Sequence, residues 1–499
     1  MNYLLDALKQ HAQKKPDALF LVDADMCYSF SEFYEAVGKL STFLLTQGVQ
    51  NGDFVVVHLS KKSEHLITYI ALLNIGAICV HLYPEREDEY VIFAANHTDA
   101  KAIISNTFTQ EVQGKLVFDF PKNNTLQPTY THDYNEIAYV MFTSGTTSTP
   151  KAVLTTHENI NFVTHTLIDL ADMQKDIGRE IILLPLGSTG GLGHFHASLF
   201  LGNQIYLFKG FYSKLTDVDI EQLLSEIQEK NITGILLTPG LVKRLLYHHQ
   251  EKFQTCAKNL KYVLTNVSPM KKETIKTLLD LLPNLRFCTY YGSTEASRSI
   301  VNICRENGEF MHLTGKPAHG VSIEIRNKNE NGEGEIYIKG ANVMQGYLGI
   351  ENSLNDGWFA SGDIAREDEN GYISVLGRVN DTINVDGLKL FPMELENIAM
   401  SHPNIDEAGV CALEADFQTV LGFALVLKNK LLDKHTVAQE IFNTLVKHFK
   451  MDQTDLYSFK LPNKLYFVDQ IPKQGLGKID RNTLKELLKN SQNTVTYKG

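Results

Sequence analysis

The sequence predicts an α/β protein: a large N-terminal domain of two α/β layers plus a small β-rich lobe, and a small mobile α+β C-terminal domain. Three observations carry this reading. From about Ser29 to Phe120, helical patterns alternate with short apolar runs, and the alternation returns from about Glu158 to Tyr290. After Arg378 the chain changes style again. A length of 499 residues also exceeds what one core supports, so at least two domains follow.

The opening stretch, MNYLLDALKQHAQKKPDALF, reads as an amphipathic helix ending before Pro16, without the basic, apolar and small-residue pattern of an export signal. SFSEFYEAVGKLSTFLLTQG is the next helix, and FVVVHL, AICVHLY and KAIISN are strands of the first layer. His65 to Tyr83 is the most apolar segment, but Asn74 and Gly76 interrupt it. It reads as a buried helix, a stop at Gly76 and a core strand rather than a membrane span. IILLPL, QIYLF, ITGILLTP, KYVLTN and FCTYYG supply the second layer. IEIRN, GEIYIKG and YISVLGR alternate apolar and polar residues between the turns NKNENGEGE and REDENGY, as a β-rich lobe does. The helices FPMELENIAMSH and TVAQEIFNTLVKHF and the strands AGVCAL and GFALVLK form the last unit. The predicted domains are residues 1–379 and 380–499. The chain from about Asn490 is polar and is expected to be loose.

An apolar fraction of 43% and a charged fraction of 21% describe a folded chain. The formal charge of −11 argues against nucleic acid held by general electrostatics, so any anionic ligand needs a local basic site. The six cysteines stand far apart with no C-x-x-C pair, which fits a reducing cytoplasm.

Chemistry concentrates first in Tyr139 to Val153, YVMFTSGTTSTPKAV: a strand, a run of hydroxyls and glycine, then Pro150 and Lys151. Backbone amides of such a loop wrap phosphate oxygens, hydroxyls add donors and a lysine adds charge. Thr143, Ser144, Gly145, Thr146, Thr147 and Lys151 are the candidate contacts. It is not a Walker loop, because Pro150 stands where the second Gly belongs and Ala152 where the metal-binding hydroxyl belongs. A polar surface loop is the competing reading of this segment alone.

TSGTTSTPK resembles the signature loop of the adenylate-forming superfamily of acyl-CoA synthetases, free-standing adenylation domains and luciferases. The rest of the chain carries further matches in the family's order. YYGSTEAS is similar to the second signature, and the resemblance implies Tyr291 beside adenine, Gly292 as a further nucleotide contact, Thr294 on the α-phosphate and Glu295 on Mg²⁺, with Thr143 as a further metal contact. GWFASGDIAREDENGYISVLGR implies Asp363 and Arg378 as ribose or phosphate contacts. GEIYIKGANVMQGYL also matches, but its residues read as architectural. IPKQGLGKIDR places Lys478 as the lysine that enters the active site and steadies charge during adenylation, a form of help that is strong in a dry cleft. Lys478, Glu295 and Thr294 are thus the candidate catalytic residues.

The chain departs from the family pattern in three places. Ser148 replaces a usual Gly in the loop. Asn380 replaces the usual hinge Asp or Lys, and Asn tolerates the backbone angles a hinge needs. Ser188 stands where many relatives have His or an aromatic residue. Ser188, Gly190 and Gly191 line one predicted acyl-pocket wall and Asn266 another. Relatives that activate amino acids carry an Asp near Ser188, and none occurs between Leu184 and Phe200, so a non-amino acid is implied. His194 and His196 share a side only if the segment is extended, and no third ligand is evident. INVDGLKLFPMELE resembles the pantetheine tunnel, with Gly387 and Lys389 on the thiol channel. The resemblance therefore implies an acid–thiol ligase that uses ATP, Mg²⁺ and coenzyme A on a small-molecule carboxylic acid. Two alternatives stand beside it: a free-standing adenylation enzyme that loads the phosphopantetheine of an acyl carrier protein, and a non-catalytic nucleotide-binding relative.

Overall fold

A computed structural model of the chain describes residues 3–496 apart from 25, 61, 123, 144–149, 210–214, 267–269, 386–387, 416–417, 449–461, 463 and 475–477. The chain divides into two compact units: Met1–Asn266 with Thr274–Ile323 and Tyr337–Ala360, and Val267–Glu273 with Glu324–Ile336 and Ser361–Gly499. The second unit begins earlier than residue 380 and takes in most of the β-rich lobe.

The first unit holds two sheets. Its nine-stranded sheet has six parallel strands in the order Arg286–Tyr291, Tyr262–Thr265, Gly234–Leu237, Arg179–Ile182, Gln204–Leu207 and Leu19–Asp23, with antiparallel strands beyond each end. These runs are short and apolar on both faces, as a sheet covered by helices requires. The seven-stranded sheet centres on Phe54–His58, Ile78–His81 and Ile137–Thr143. The reading of His65 to Tyr83 holds: the helix Lys62–Asn74 is buried along nearly its whole length and gives way to the strand Ile78–His81. Gly76 makes the stop, with φ of +68° and its α-carbon so close to Asn51 that a Cβ would lie 2.4 Å from Nδ2. The helix Phe30–Thr46 starts where its sequence directs: Ser29 Oγ accepts from Glu32 N while Glu32 Oε2 accepts from Ser29 N.

The lobe is a four-stranded sheet of Ser322–Arg326, Gly334–Lys339, Phe359–Glu367 and Ile373–Arg378, along which the chain passes from one unit to the other. The remainder of the second unit is a sheet in the order Ile405–Ala415, Gln418–Leu427, Lys464–Phe467 and Thr494–Thr496, with the helices Pro392–Met400, Lys434–His448 and Arg481–Lys489. Its core includes Leu395, Phe423, Phe442 and Leu445. Here one expectation is corrected. The stretch after Asn490 is not loose throughout, because Thr494–Thr496 pairs antiparallel with Lys464–Phe467 and buries Val495. One apolar residue between two threonines is too short a pattern to announce an edge strand.

Candidate active site

In the first unit the predicted phosphate loop joins two antiparallel strands, Ile137–Thr143 and Lys151–Thr156, with Thr143 opposite Lys151. A hairpin rather than a strand-to-helix turn agrees with the absence of a Walker pattern. Ser144, Gly145, Thr146 and Thr147, and the departure at Ser148, lie outside the described residues. The loop's two ends are nevertheless fixed, because Val140 and Ala152 are buried in the sheet below them.

The strand Arg286–Tyr291 delivers the second signature into a tight turn. A Cβ on Gly292 would lie 2.5 Å from the backbone nitrogen of Arg298, so the turn closes only on glycine. Ser293 N donates to Ala296 O at 3.2 Å and Met344 N to Glu295 O at 2.7 Å, which fixes the backbone around Thr294 and Glu295. The short strand Gly346–Tyr347 pairs with Lys151–Thr156 and puts Tyr347 opposite Val153. From there Tyr347 Oη donates to Glu295 Oε1 at 2.8 Å, and Lys151 Nζ sits 4.9 Å from the centre of its ring. Lys151 and Glu295, far apart in sequence, thus share one aromatic residue. Burial, reinforced by the Glu295 carboxylate, pushes the Tyr347 phenol well above its ordinary range, so it stays a proton donor. Tyr347 belongs to the segment read as architectural; no local pattern marks it, because its partner Glu295 lies in a turn distant in sequence.

The predicted acyl walls also meet. Ser188 caps the helix Thr189–Leu201: its Oγ donates to Pro185 O at 2.7 Å and accepts from Gly191 N at 3.2 Å. A Cβ on Gly190 would lie 3.8 Å from Asn266 Nδ2 and 3.9 Å from Ser188 Oγ, so the three are neighbours. A Cβ on Gly191 would strike Pro185 O at 2.3 Å, so the helix start lies against backbone. Asn266 Nδ2 donates to Tyr290 Oη at 2.9 Å. The segment is helical, so His194 and His196 diverge: His194 Nδ1 is 3.6 Å from Glu180 Oε2, and His196 Nε2 is 3.1 Å from Tyr69 Oη. Below lies a buried polar layer in which His65 Nε2 and His81 Nδ1 are 2.8 Å apart.

A small cavity opens between these elements, lined among others by Thr189, Gly193, His196, Thr294, Ser297 and Arg298. Arg298 is the functional candidate that sequence reading missed. The available signal was a cation inside the run of small residues Ala296, Ser297 and Ser299.

In the second unit, Asp363 and Arg378 face each other across the antiparallel strands Phe359–Glu367 and Ile373–Arg378, with Arg378 Nε 3.4 Å from Asp363 Oδ1. Asp363 is buried, and its backbone N donates to Ser361 Oγ at 3.1 Å. Asn380 lies in the one-turn helix Val379–Asp381 directly after Arg378. Gly387 falls outside the described residues, and Lys389 is placed by its backbone alone, in the strand Leu388–Leu390 paired with Ile383–Val385. The backbone of Lys478 lies in a second small hairpin, opposite Gln474. Arg481 follows, and its guanidinium donates at 2.5 Å to both Glu396 Oε1 and Val410 O. Asp381 Oδ2 is 3.9 Å from Arg481 Nε, so one arginine touches the turn that holds Asn380 and the helix that follows Lys478.

The first unit thus holds a tyrosine shared by Lys151 and Glu295, and the second an acid paired with an arginine. The chain matches the AMP-binding enzyme family over residues 8–348 and the AMP-binding enzyme C-terminal domain over 394–478. It belongs to the AMP-binding enzyme family. Its class is that of an AMP-forming acid–thiol ligase of the acyl-CoA synthetase type. A 2-succinylbenzoate–CoA ligase of Bacillus licheniformis is 28% identical over 496 residues, covering 96% of this chain and 98% of its own. The medium-chain fatty-acid–CoA ligase of Escherichia coli is 26% identical, covering 97% and 90%. The o-succinylbenzoate CoA synthetase of Bacillus subtilis, solved with its acyl-adenylate intermediate, shares the fold with a TM-score of 0.80 at 23% identity, covering 96% of this chain and 97% of its own. Among the described residues, no helix is long and apolar enough to cross a membrane.

Proposed function

We propose that this chain activates a non-amino carboxylic acid with ATP and passes it to coenzyme A. A carboxylate oxygen of the acid attacks the α-phosphorus of ATP, and pyrophosphate leaves. The thiol sulfur of coenzyme A then attacks the acyl carbon; AMP departs and the thiol proton is released. The single observation that carries this reading is the contact chain Lys151–Tyr347–Glu295, which joins the phosphate loop to the second signature.

In this scheme Thr143 to Thr147 and Lys151 hold the β- and γ-phosphates, and Thr294 meets the α-phosphate. Tyr291 and Gly292 flank adenine, while Asp363 accepts from the ribose hydroxyls with Arg378 beside it. Glu295 suits a magnesium ion: it is a hard carboxylate, only partly buried, with Tyr347 orienting one oxygen, and magnesium is commonly held by one or two carboxylates plus phosphates. When bound, the ion neutralises triphosphate charge. Tyr347 fixes the rotamer of Glu295, so the carboxylate is in place before the nucleotide arrives. Lys478 steadies the charge that shifts between the carboxylate and the α-phosphate, and Asn380 is the pivot of a mobile segment that begins at 380. Gly387 and Lys389 line the thiol channel. Six free cysteines, five of them buried, fit a cytoplasmic setting. A carrier protein's phosphopantetheine presents the same arm as coenzyme A, and comparing the two as acceptors separates them.

The decisive measurement is acid-dependent pyrophosphate exchange. Lys478→Ala lowers it roughly a hundredfold, the scale of one preorganised charge contact, while the melting temperature stays put. Exchange at the wild-type rate in this variant would overturn the assignment.

A further inference from the structure

Arg298 is almost fully buried, at 1% exposure, and it lines the cavity that Thr294 also lines. Its NH1 donates to Ser297 Oγ at 3.2 Å and its NH2 reaches Thr189 O at 3.5 Å, while Nε has no acceptor. Among the described residues no carboxylate lies within ion-pair distance of it. A guanidinium does not shed its proton inside a protein, so the charge stays, and burying it without a counterion is costly. The protein nevertheless holds it there by two further sacrifices. The Arg298 backbone sits at φ of +54°, a left-handed conformation that side chains rarely adopt. Across the helix Thr189–Leu201, position 193 is glycine, and a Cβ there would lie 1.9 Å from Arg298 NH2. Helix, strained backbone and cavity all keep a fixed, desolvated cation facing the space next to the reacting carboxylate's phosphate contact.

We propose that Arg298 reads a second carboxylate on the acid substrate, so that the substrate class of this ligase is dicarboxylic acids. The proposal rests on the ligase reading above. A planar guanidinium matches a carboxylate with two parallel hydrogen bonds, and Thr189, Asn159 and Asn342 add polar groups to the same cavity. The carboxylate that becomes the adenylate lies toward Thr294, and the distal carboxylate neutralises Arg298. Monocarboxylic acids of equal length leave the guanidinium with its hydroxyl and carbonyl contacts and the Tyr290 ring but without a counter-charge, which a site built around a buried charge rejects strongly. In the scheme adenine goes to Tyr291, the ribose to Asp363 and the β- and γ-phosphates to Thr143 to Thr147 and Lys151, none of which, among the described residues, lines this cavity.

The test pairs α,ω-dicarboxylic acids of three to eight carbons, and 2-succinylbenzoate, with their monoamides. kcat/KM for pyrophosphate exchange is measured in the full-length wild type, in Arg298→Gln and in Gly193→Ala. At least one diacid is expected to exceed its monoamide by roughly a hundredfold in the wild type. Arg298→Gln collapses that ratio to within about threefold. Gly193→Ala, which keeps the charge but displaces the guanidinium, lowers the ratio by at least about tenfold. A wild type that does not discriminate overturns the proposal, and so does an unchanged ratio in Arg298→Gln or an equal loss with both acids. Should Arg298→Gln fail to fold, the wild-type ratio and Gly193→Ala decide. If no acid supports exchange, the ligase reading falls; calorimetric binding of each diacid against its monoamide then still tests Arg298, with no discrimination overturning it.

Discussion

The two units hold their candidate residues by opposite means. In the first, side chains stand over a broad buried polar layer and are tied by contacts between segments distant in sequence: Tyr347 to Glu295, Asn159 Nδ2 to Val343 O at 2.8 Å, and Asn342 Nδ2 to Ser299 Oγ at 2.8 Å. In the second, Lys389 and Lys478 ride on two small hairpins beside an apolar core, and Arg481 with Glu396 is the buried ion pair at their base. The lesson concerns rigidity. A network of many partners fixes geometry in advance, as phosphate chemistry needs. A segment tied by few latches is what the proposed two-step reaction asks for.

The contrast can be broken at its weakest latch first. Glu396 is buried, and its partner is held mainly by it. Glu396→Ala strands the Arg481 charge and is expected to destabilise the second unit by about 3–5 kcal/mol, with the first unit's calorimetric transition unmoved. A single transition that shifts as a whole, or none that shifts, would refute the latch.

Acid should act on the other side. Burial pushes His65 and His196 down to about 3. The unfolded chain protonates each near pH 6.5, while the folded protein keeps both neutral. Between pH 6.5 and about 3 the unfolded state therefore binds more protons. Stability from these rings is complete above pH 6.5 and falls below it by ~1.4 kcal/mol per pH unit for each histidine. By pH 5 that amounts to roughly 2 kcal/mol per ring, concentrated in the first unit. Scans at pH 7 and pH 5 that show no loss in that unit's transition would count against the polar layer as a neutral, structural one.

The smallest effect sharpens the comparison at one bond. Tyr347→Phe removes the hydroxyl from Glu295 and keeps the ring beneath Lys151. It should lower pyrophosphate exchange about tenfold, or ~1.4 kcal/mol, and raise the magnesium concentration needed for half-maximal rate. An unchanged magnesium dependence would mean that Tyr347 does not orient Glu295.

Much of this was legible in the sequence. The parallel strands announced themselves by short apolar runs, and the helix Phe30–Thr46 by the helical pattern of its own residues, because each signal lies within a few residues of its effect. Asp363 and Arg378 were readable as a pair from their motif, and the register of two strands sets them face to face. What escaped depends on distance or on overridden propensity. The helix Thr189–Leu201 begins with glycines that disfavour helix; the Ser188 cap and burial of Leu192, Phe195 and Leu199 prevail. Tyr347 carries no local mark and Arg298 only a cation among small residues, since their placement comes from segments distant in sequence that pack against them.

The contact between Gly193 and Arg298 has an evolutionary consequence. A side chain at 193 collides with the guanidinium as it stands, whereas loss of the arginine removes that collision and leaves glycine's cost to the helix. The two positions are therefore epistatic, and the order of change matters. A path away from this pocket must shorten residue 298 first and fill position 193 afterwards. A path toward it must empty 193 before the cation can enter, so the starting sequence constrains which specificities lie one mutation away.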